Sequence, residues 1–267
     1  MNTKKLRLGL IGKDISKSKS ESIHAYILGR LGVDCEYERF SVAMDDFDNA
    51  MRRLLGDFDG FNVTIPYKRD VMEYLDSVEG DAFAFSAVNT VISATRTGYN
   101  TDGVGFLMML RAANVVVKDK KILVLGGGGS GRSTAAVLKQ AGALVYMYQR
   151  TREKLEETCQ ELGITPADNP ESGAFDILIN TTGVGMHDSV GRSPVEKEAF
   201  NGAEVAIDLI YEPAESAFLQ LAKSQGVKTL NGEAMLFYQA YYADCLYLGV
   251  EANDAQAIGF YQQYKQM

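Results

Sequence analysis

The sequence predicts an α/β protein of two domains with a cleft between them. Three observations lead there. Apolar runs of strand length alternate with stretches of helix length along most of the 267 residues, the pattern of parallel sheets with covering helices. One solid apolar run, Ile122–Leu125, leads into consecutive glycines and then a helical stretch, as a strand buried on both faces does before a tight turn. The last helical stretches, residues 233–248 and 253–266, follow a segment that already holds its own βαβ set, so they are expected to return to the first domain. The expected division is residues 1–105 completed by 236–267, and residues 106–235.

Taken in order, Leu6–Ile11 reads as a strand and Ser20–Leu31 as a helix opened by serine and closed by Gly32. Glu36–Phe40 is the next strand, Met44–Leu55 a helix and Gly60–Thr64 a strand. A short helix is expected near Arg69–Leu75, a strand at Val88–Ser93 and a helix at Asp102–Ala113. In the second half, Ile122–Leu125, Leu144–Tyr148, Asp176–Asn180 and Val205–Ile210 read as strands. Arg132–Gln140 is helical and stops at Gly142.

Composition narrows the function classes. The formal net charge is −8, which disfavours nucleic-acid binding, because a phosphate backbone needs a basic footprint. Three widely spaced cysteines without a CxxC argue against a disulfide framework and for a reducing cytoplasm. Only His24 and His187 are present, in no metal-binding pattern, so no metal site is expected. Met1–Arg7 is basic but lacks a long apolar stretch, and no apolar run has spanning length, so neither a signal peptide nor a membrane segment is expected. The expected state is a monomer or homodimer.

Gly126-Gly127-Gly128-Gly129-Ser130-Gly131 satisfies GxGxxG at Gly126, Gly128 and Gly131. Between a buried strand and a helix, this is the context of a Rossmann-type nucleotide domain. Glycines bring the backbone close to a pyrophosphate, and the helix start offers it unpaired N–H groups, here from Gly129, Ser130 and Gly131. A purely structural glycine turn is the plainer alternative. Cofactor choice is read after the next strand, at Gln149-Arg150-Thr151-Arg152-Glu153-Lys154. No acid stands first to take a ribose 2′-hydroxyl. Arg150, Thr151 and Lys154 instead suit a 2′-phosphate, which favours NADP over NAD.

The first half carries polar groups where loops follow strands. Ser18 and Ser20 flank Lys19 before a helix, a pattern that fits a carboxylate clamp or plain N-capping. Asn62-Val63-Thr64-Ile65-Pro66-Tyr67-Lys68 ends a strand in a proline turn, and Lys68 read alone is a surface lysine. Ala87-Val88-Asn89-Thr90 and Asn100-Thr101-Asp102-Gly103 add two asparagines and an aspartate; the latter also reads as a turn with a helix cap. Gln239 stands on an otherwise apolar and aromatic helix, where a buried amide needs a partner in the substrate or the protein.

These segments, in this order and spacing, resemble the shikimate dehydrogenase family over about residues 6–250. Gln149-Arg150-Thr151, Asn180-Thr181-Thr182, Asp208 to Tyr211, and Met235-Leu236 with Gln239 add to the likeness. The resemblance implies an N-terminal substrate domain, a Rossmann-type NADP domain, and reversible reduction of 3-dehydroshikimate to shikimate on the route to chorismate and the aromatic amino acids. It implies Lys68 and Asp102 as the catalytic pair, and Ser18 and Ser20 on the substrate carboxylate. Asn62, Thr64, Asn89, Asp102, Tyr211 and Gln239 would surround the ring hydroxyls, and Thr181 and Gly232 would join the cofactor site. The chain departs from the family pattern at Glu21, Tyr99, Gln149 and Asn231–Ala234. Glu21 matters most, since it brings a negative charge to the proposed carboxylate clamp. A quinate or broader dehydrogenase of the same fold, and a non-catalytic NADP-binding regulator, are the alternative readings.

Overall fold

The structure is a computed structural model and describes residues 5–82, 86–171 and 175–267; residues 1–4 of the basic N-terminal stretch lie outside it. The chain forms two compact units, Met1–Gly105 with Leu236–Met267, and Phe106–Met235.

The first unit opens with β1 (Leu6–Gly12), α1 (Ser20–Arg30) and β2 (Cys35–Ser41). It continues through α2 (Phe47–Asp57), β3 (Gly60–Val63), β4 (Ser77–Val78), β5 (Thr90–Ile92) and β6 (Thr97–Tyr99). Its sheet runs β2-β1-β3-β5-β6-β4. Strand β1 is parallel to both β2 and β3 and almost wholly buried, as a central strand covered on both faces must be. Under one face lies a core built from Phe47, Met51, Leu54, Phe61, Val63 and Tyr67.

This sheet corrects the parallel expectation, because β5 is antiparallel to both β3 and β6. Between β5 and β6 the cause is local: only four residues join them, with Arg96 left-handed at φ 46°, so the chain turns back without a crossover helix. The expected helix at Met44–Leu55 is α2, preceded by a 3₁₀ turn at Met44–Asp46, whereas the one expected near Arg69–Leu75 is only a 3₁₀ turn, Asp70–Tyr74.

Helix α3 (Asp102–Ala112) follows β6 and carries the chain into the second unit. That unit contains β7 (Lys121–Leu125), α4 (Gly129–Gln140), β8 (Leu144–Tyr148), α5 (Arg152–Leu162), β9 (Thr165–Pro166), β10 (Ile177–Asn180), β11 (Val205–Asp208), α6 (Ala217–Ser224) and β12 (Lys228–Asn231). The sheet order is β12-β11-β10-β7-β8-β9, with every pair parallel. Successive strands run outward from β7 in one direction and then restart at β10 on its other side. The glycine loop after β7 thus stands at the switch point, where doubly wound sheets bind their ligands. Helix α4 starts at Gly129, three residues before the expected Arg132, so the last glycines belong to its first turn.

The chain ends in α7 (Glu233–Leu248) and α8 (Asp254–Tyr264). From Leu236 onward these residues belong to the first unit. Phe237, Tyr238, Tyr241 and Ala240 of α7 are fully buried, and Phe237 packs against Tyr261 and Tyr264 of α8. No helix among the described residues is long and apolar enough to cross a membrane.

Candidate active site

The reversed hairpin decides where the polar groups of the first unit gather. Because β5 is antiparallel, its start lies level with the end of β3, with Asn62 opposite Thr90 and Thr90 opposite Tyr99. Asn89, just before β5, and Asn100–Asp102, just after β6, therefore reach the edge where β1 and β3 end.

At that edge Lys68 Nζ donates to Asp102 Oδ2 at 2.5 Å, with the two side chains 23% and 15% exposed. The lysine is placed by its neighbour. Tyr67 is buried, stacks on Phe47 at 4.5 Å and donates its hydroxyl to the Val42 carbonyl at 2.6 Å. The proline turn is thereby pinned to the core, and Lys68 emerges from an anchored backbone whose carbonyl accepts from Val88 N–H. Asp102 opens α3, where the helix dipole favours a carboxylate, and Asn100 Oδ1 accepts its N–H at 3.0 Å.

Asn89 connects this pair to the rest of the edge. Its Nδ2 donates to Asp102 Oδ1 at 2.9 Å and to Thr101 Oγ1 at 3.1 Å. Its Oδ1 accepts from Thr101 N–H and from the Thr90 hydroxyl, both at 2.9 Å. Asn62 Nδ2 reaches Thr90 Oγ1 and the Asn89 carbonyl, each at 3.3 Å. Gln239 already has protein partners: its Oε1 accepts from Thr101 at 3.3 Å, and its Nε2 donates to the Leu236 carbonyl at 3.0 Å. Thr64 is half-buried in the turn after β3.

Ser18 and Ser20 are joined, the Ser18 hydroxyl donating to Ser20 Oγ at 3.0 Å and accepting from the Ser20 N–H at 3.2 Å. Glu21 is exposed and paired with Arg39 at 3.2 Å. Its charge is held on the solvent side of α1, which answers the concern that it faces the clamp. Tyr37, Thr90 and Thr101 belong to the same polar edge and were missed in the sequence. A tyrosine in a strand and threonines beside asparagines carry no signal of their own before the register is known.

Beneath this edge lies a fully buried pair. His24 Nδ1 stands 2.6 Å from Asp244 Oδ1, and neither side chain is exposed. Burial raises the Asp244 carboxyl above the usual range, and the His24 partner opposes that rise. Tyr37 stacks on the His24 ring at 5.0 Å.

In the second unit the glycine loop has little freedom. Gly126 has φ 104°, a left-handed backbone that side chains rarely adopt. A Cβ on Gly131 would lie 2.0 Å from the Gly126 carbonyl oxygen, so the first turn of α4 is pressed onto the loop. Thr181 braces the same place, its hydroxyl directed at the Leu125 carbonyl at 2.8 Å and the Gly126 carbonyl at 3.2 Å. Gly128 and Gly129 are exposed and Ser130 half-buried, with open space where Cβ atoms on the two glycines would stand. Gln149 Nε2 is buried beside Gly127 without a partner. A tight loop, an open helix start and an orphaned donor together fit a phosphate-bearing nucleotide.

Arg150, Thr151 and Lys154 are all exposed at the start of α5. Arg152 is committed elsewhere, paired with Glu156 at 2.6 Å and with Asp168. Gly232 lies against Leu209, where a Cβ would meet its carbonyl oxygen at 2.0 Å. Tyr211 is half-buried in the second unit, three residues beyond β11.

A doubly wound nucleotide unit and a mixed-sheet unit bearing a lysine–aspartate pair define a two-unit dehydrogenase-type α/β protein. The particular family comes from comparison with known proteins. Residues 10–91 match the shikimate dehydrogenase substrate binding domain. The shikimate dehydrogenase (NADP(+)) of Caldanaerobacter subterraneus is 39% identical over 257 residues, covering 90% of this chain and 91% of that protein. That of Caldicellulosiruptor saccharolyticus is 38% identical over 260 residues, covering 91% and 92%. The crystal structure of Thermus thermophilus shikimate 5-dehydrogenase in complex with NADP(H) and shikimate superposes with a TM-score of 0.89 at 31% identity, covering 97% of this chain and 99% of that one. The chain belongs to the shikimate dehydrogenase family.

Proposed function

We propose that the protein catalyses the reversible, NADP-dependent reduction of 3-dehydroshikimate to shikimate in the cytoplasm. The observation that carries this reading is the short Lys68–Asp102 pair, set among the amides of Asn62, Asn89 and Gln239. A regulator that only binds nucleotide has no use for a proton donor held this way.

Ser18 and Ser20 take the substrate carboxylate. The helix start behind them adds N–H groups and a favourable dipole. Asn62, Thr64, Asn89, Gln239 and Tyr211 select the ring hydroxyls. With Glu21 held by Arg39, the clamp keeps its preference for an acid. On the nucleotide side, Gly126, Gly128, Gly129, Ser130 and Gly131 hold the pyrophosphate, Arg150, Thr151 and Lys154 the 2′-phosphate, and Thr181 and Gly232 the rest. Bound NADPH supplies the hydride.

As the carbonyl carbon is reduced, negative charge develops on its oxygen. The Lys68 ammonium stabilises that charge and delivers the proton, and in the reverse direction it takes the proton back. Asp102 keeps Lys68 pointed into the site and accepts from a neighbouring ring hydroxyl. The three free cysteines suit a reducing compartment.

The test is an absorbance assay at the nicotinamide band with shikimate or quinate and NADP⁺ or NAD⁺. Turnover of shikimate with NADP⁺, well above the other three combinations, is expected. Preference for quinate would move the protein to the sister activity, and no turnover with measurable NADPH binding would favour the regulator. Lys68→Ala should lower kcat by about 10²–10⁴-fold; a near-normal kcat would remove Lys68 from its role.

A further inference from the structure

Resting on the reading of Asn62 as a substrate-binding group, we propose that Tyr37 is a positioning residue that locks the Asn62 amide into one orientation and so sets the affinity for shikimate.

The argument starts at a backbone carbonyl. The Asn89 carbonyl accepts the Val63 N–H at 2.9 Å and the Asn62 side chain at 3.3 Å. A carbonyl can only accept, so the atom of Asn62 facing it must be the amide nitrogen. That fixes the flip of the Asn62 amide and turns Oδ1 toward Tyr37, whose hydroxyl lies 3.0 Å away. Oδ1 can only accept, so Tyr37 must donate its single proton there. One carbonyl just before β5 thus orders the protons of Asn62 and Tyr37.

The same chain runs the other way to the reacting groups. From Asn62 it passes through Thr90 and Asn89 to Asp102 and Lys68. Tyr37 stands at the end of this chain away from the reacting pair. Its ring cannot turn aside, since it stacks on His24, which Asp244 of α7 holds from behind. Burial, with the Asp244 charge as second cause, pushes the Tyr37 phenol well above its ordinary range, so the hydroxyl keeps its proton wherever the enzyme works. Tyr37 touches Asn62 and acts on substrate through it.

The test is Tyr37→Phe, which retains the ring on His24 and removes only the hydroxyl, assayed with shikimate and NADP⁺. The buried Asn62 oxygen then lacks its donor, so KM for shikimate should rise about tenfold. The change in kcat should be smaller than that in KM, with KM for NADP⁺ and the melting temperature near wild type. An unchanged KM for shikimate would overturn the proposal. So would a loss spread equally over both substrates with a lowered melting temperature, which marks a structural role. The double variant Tyr37→Phe/Asn62→Ala should raise KM no more than Asn62→Ala alone, because Tyr37 acts through Asn62; effects that multiply would also overturn it. If wild-type protein fails to turn over shikimate, the proposed function fails instead, which separates the two results.

Discussion

Replacing Gly131 with alanine tests the nucleotide loop at its tightest point. The added Cβ would stand 2.0 Å from the Gly126 carbonyl oxygen, 2.7 Å from Thr181 Oγ1 and 3.0 Å from the Gly126 carbonyl carbon. Non-bonded heavy atoms rest about 3.5 Å apart, so the helix start must retreat from the loop by more than about 1 Å. No flexible side chain can absorb this, because the first obstacle is backbone. Overpacking of this kind costs about 1–3 kcal/mol, or several degrees of melting temperature for a unit of this size. The larger consequence is functional. The N–H groups proposed to hold the pyrophosphate move with the helix, and a displacement of about 1 Å costs on the order of 10²-fold in kcat/KM. Fluorescence titration with NADPH and kcat/KM for NADP⁺ measure the effect. Gly128→Ala is the comparison for stability, since a Cβ there meets nothing within 4 Å. Gly131→Ala protein that binds NADPH within about threefold of wild type would refute the reasoning.

Arg150→Ala should weaken NADP⁺ by about tenfold or more through loss of a charge-assisted contact, while NAD⁺, which lacks the 2′-phosphate, changes little. Equal losses for both nucleotides would exclude Arg150 as the 2′-phosphate ligand. Burial raises the Asp208 carboxyl, against the hydrogen bonds from Ser216, Ile210 N–H and Asn180 that pull it down. The folded chain therefore holds this proton to higher pH than the unfolded chain, and stability from Asp208 falls as pH rises from about 3.9 to the raised folded value, by at most about 1.4 kcal/mol per pH unit. Urea unfolding of wild type against Asp208→Asn should show that difference declining through the window and levelling above it; a difference that grows with pH would reverse the sign of the argument. Gly259 lies inside α8, where a Cβ meets nothing within 4 Å, so Gly259→Ala should add about 1 kcal/mol in the same experiment, and a loss of stability would contradict the open geometry.

The parts of this protein legible in the sequence are those governed by local chemistry. Ile122–Leu125 could only be a doubly buried strand, and the glycines after it could only make a turn into a helix, so the nucleotide loop was placed before any contact was known. Lys68 and Asp102 were found through family resemblance, because a lone lysine after a proline turn is indistinguishable from a surface lysine. The short strands β4, β6, β9 and β12 and helices α5 and α6 escaped the sequence reading. Two- to four-residue strands have no periodicity to detect, and α5 is too polar to show an apolar stripe at a glance.

What tertiary structure decided is the direction of one hairpin. Alternating strands and helices imply parallel pairing, and a parallel β5 would have carried Asn89 to the far edge of the sheet. In the structure β5 runs against β3, and that reversal sets Asn89 beside Asp102 and Asn62 beside Thr90. Pairing across the sheet likewise turned Tyr37 from an ordinary strand residue into the donor that holds the Asn62 amide. Sequence determines which groups are available and which segments bend. Register determines which donor meets which acceptor, because a hydrogen bond exists only where two strands, distant along the chain, bring the atoms within about 3 Å.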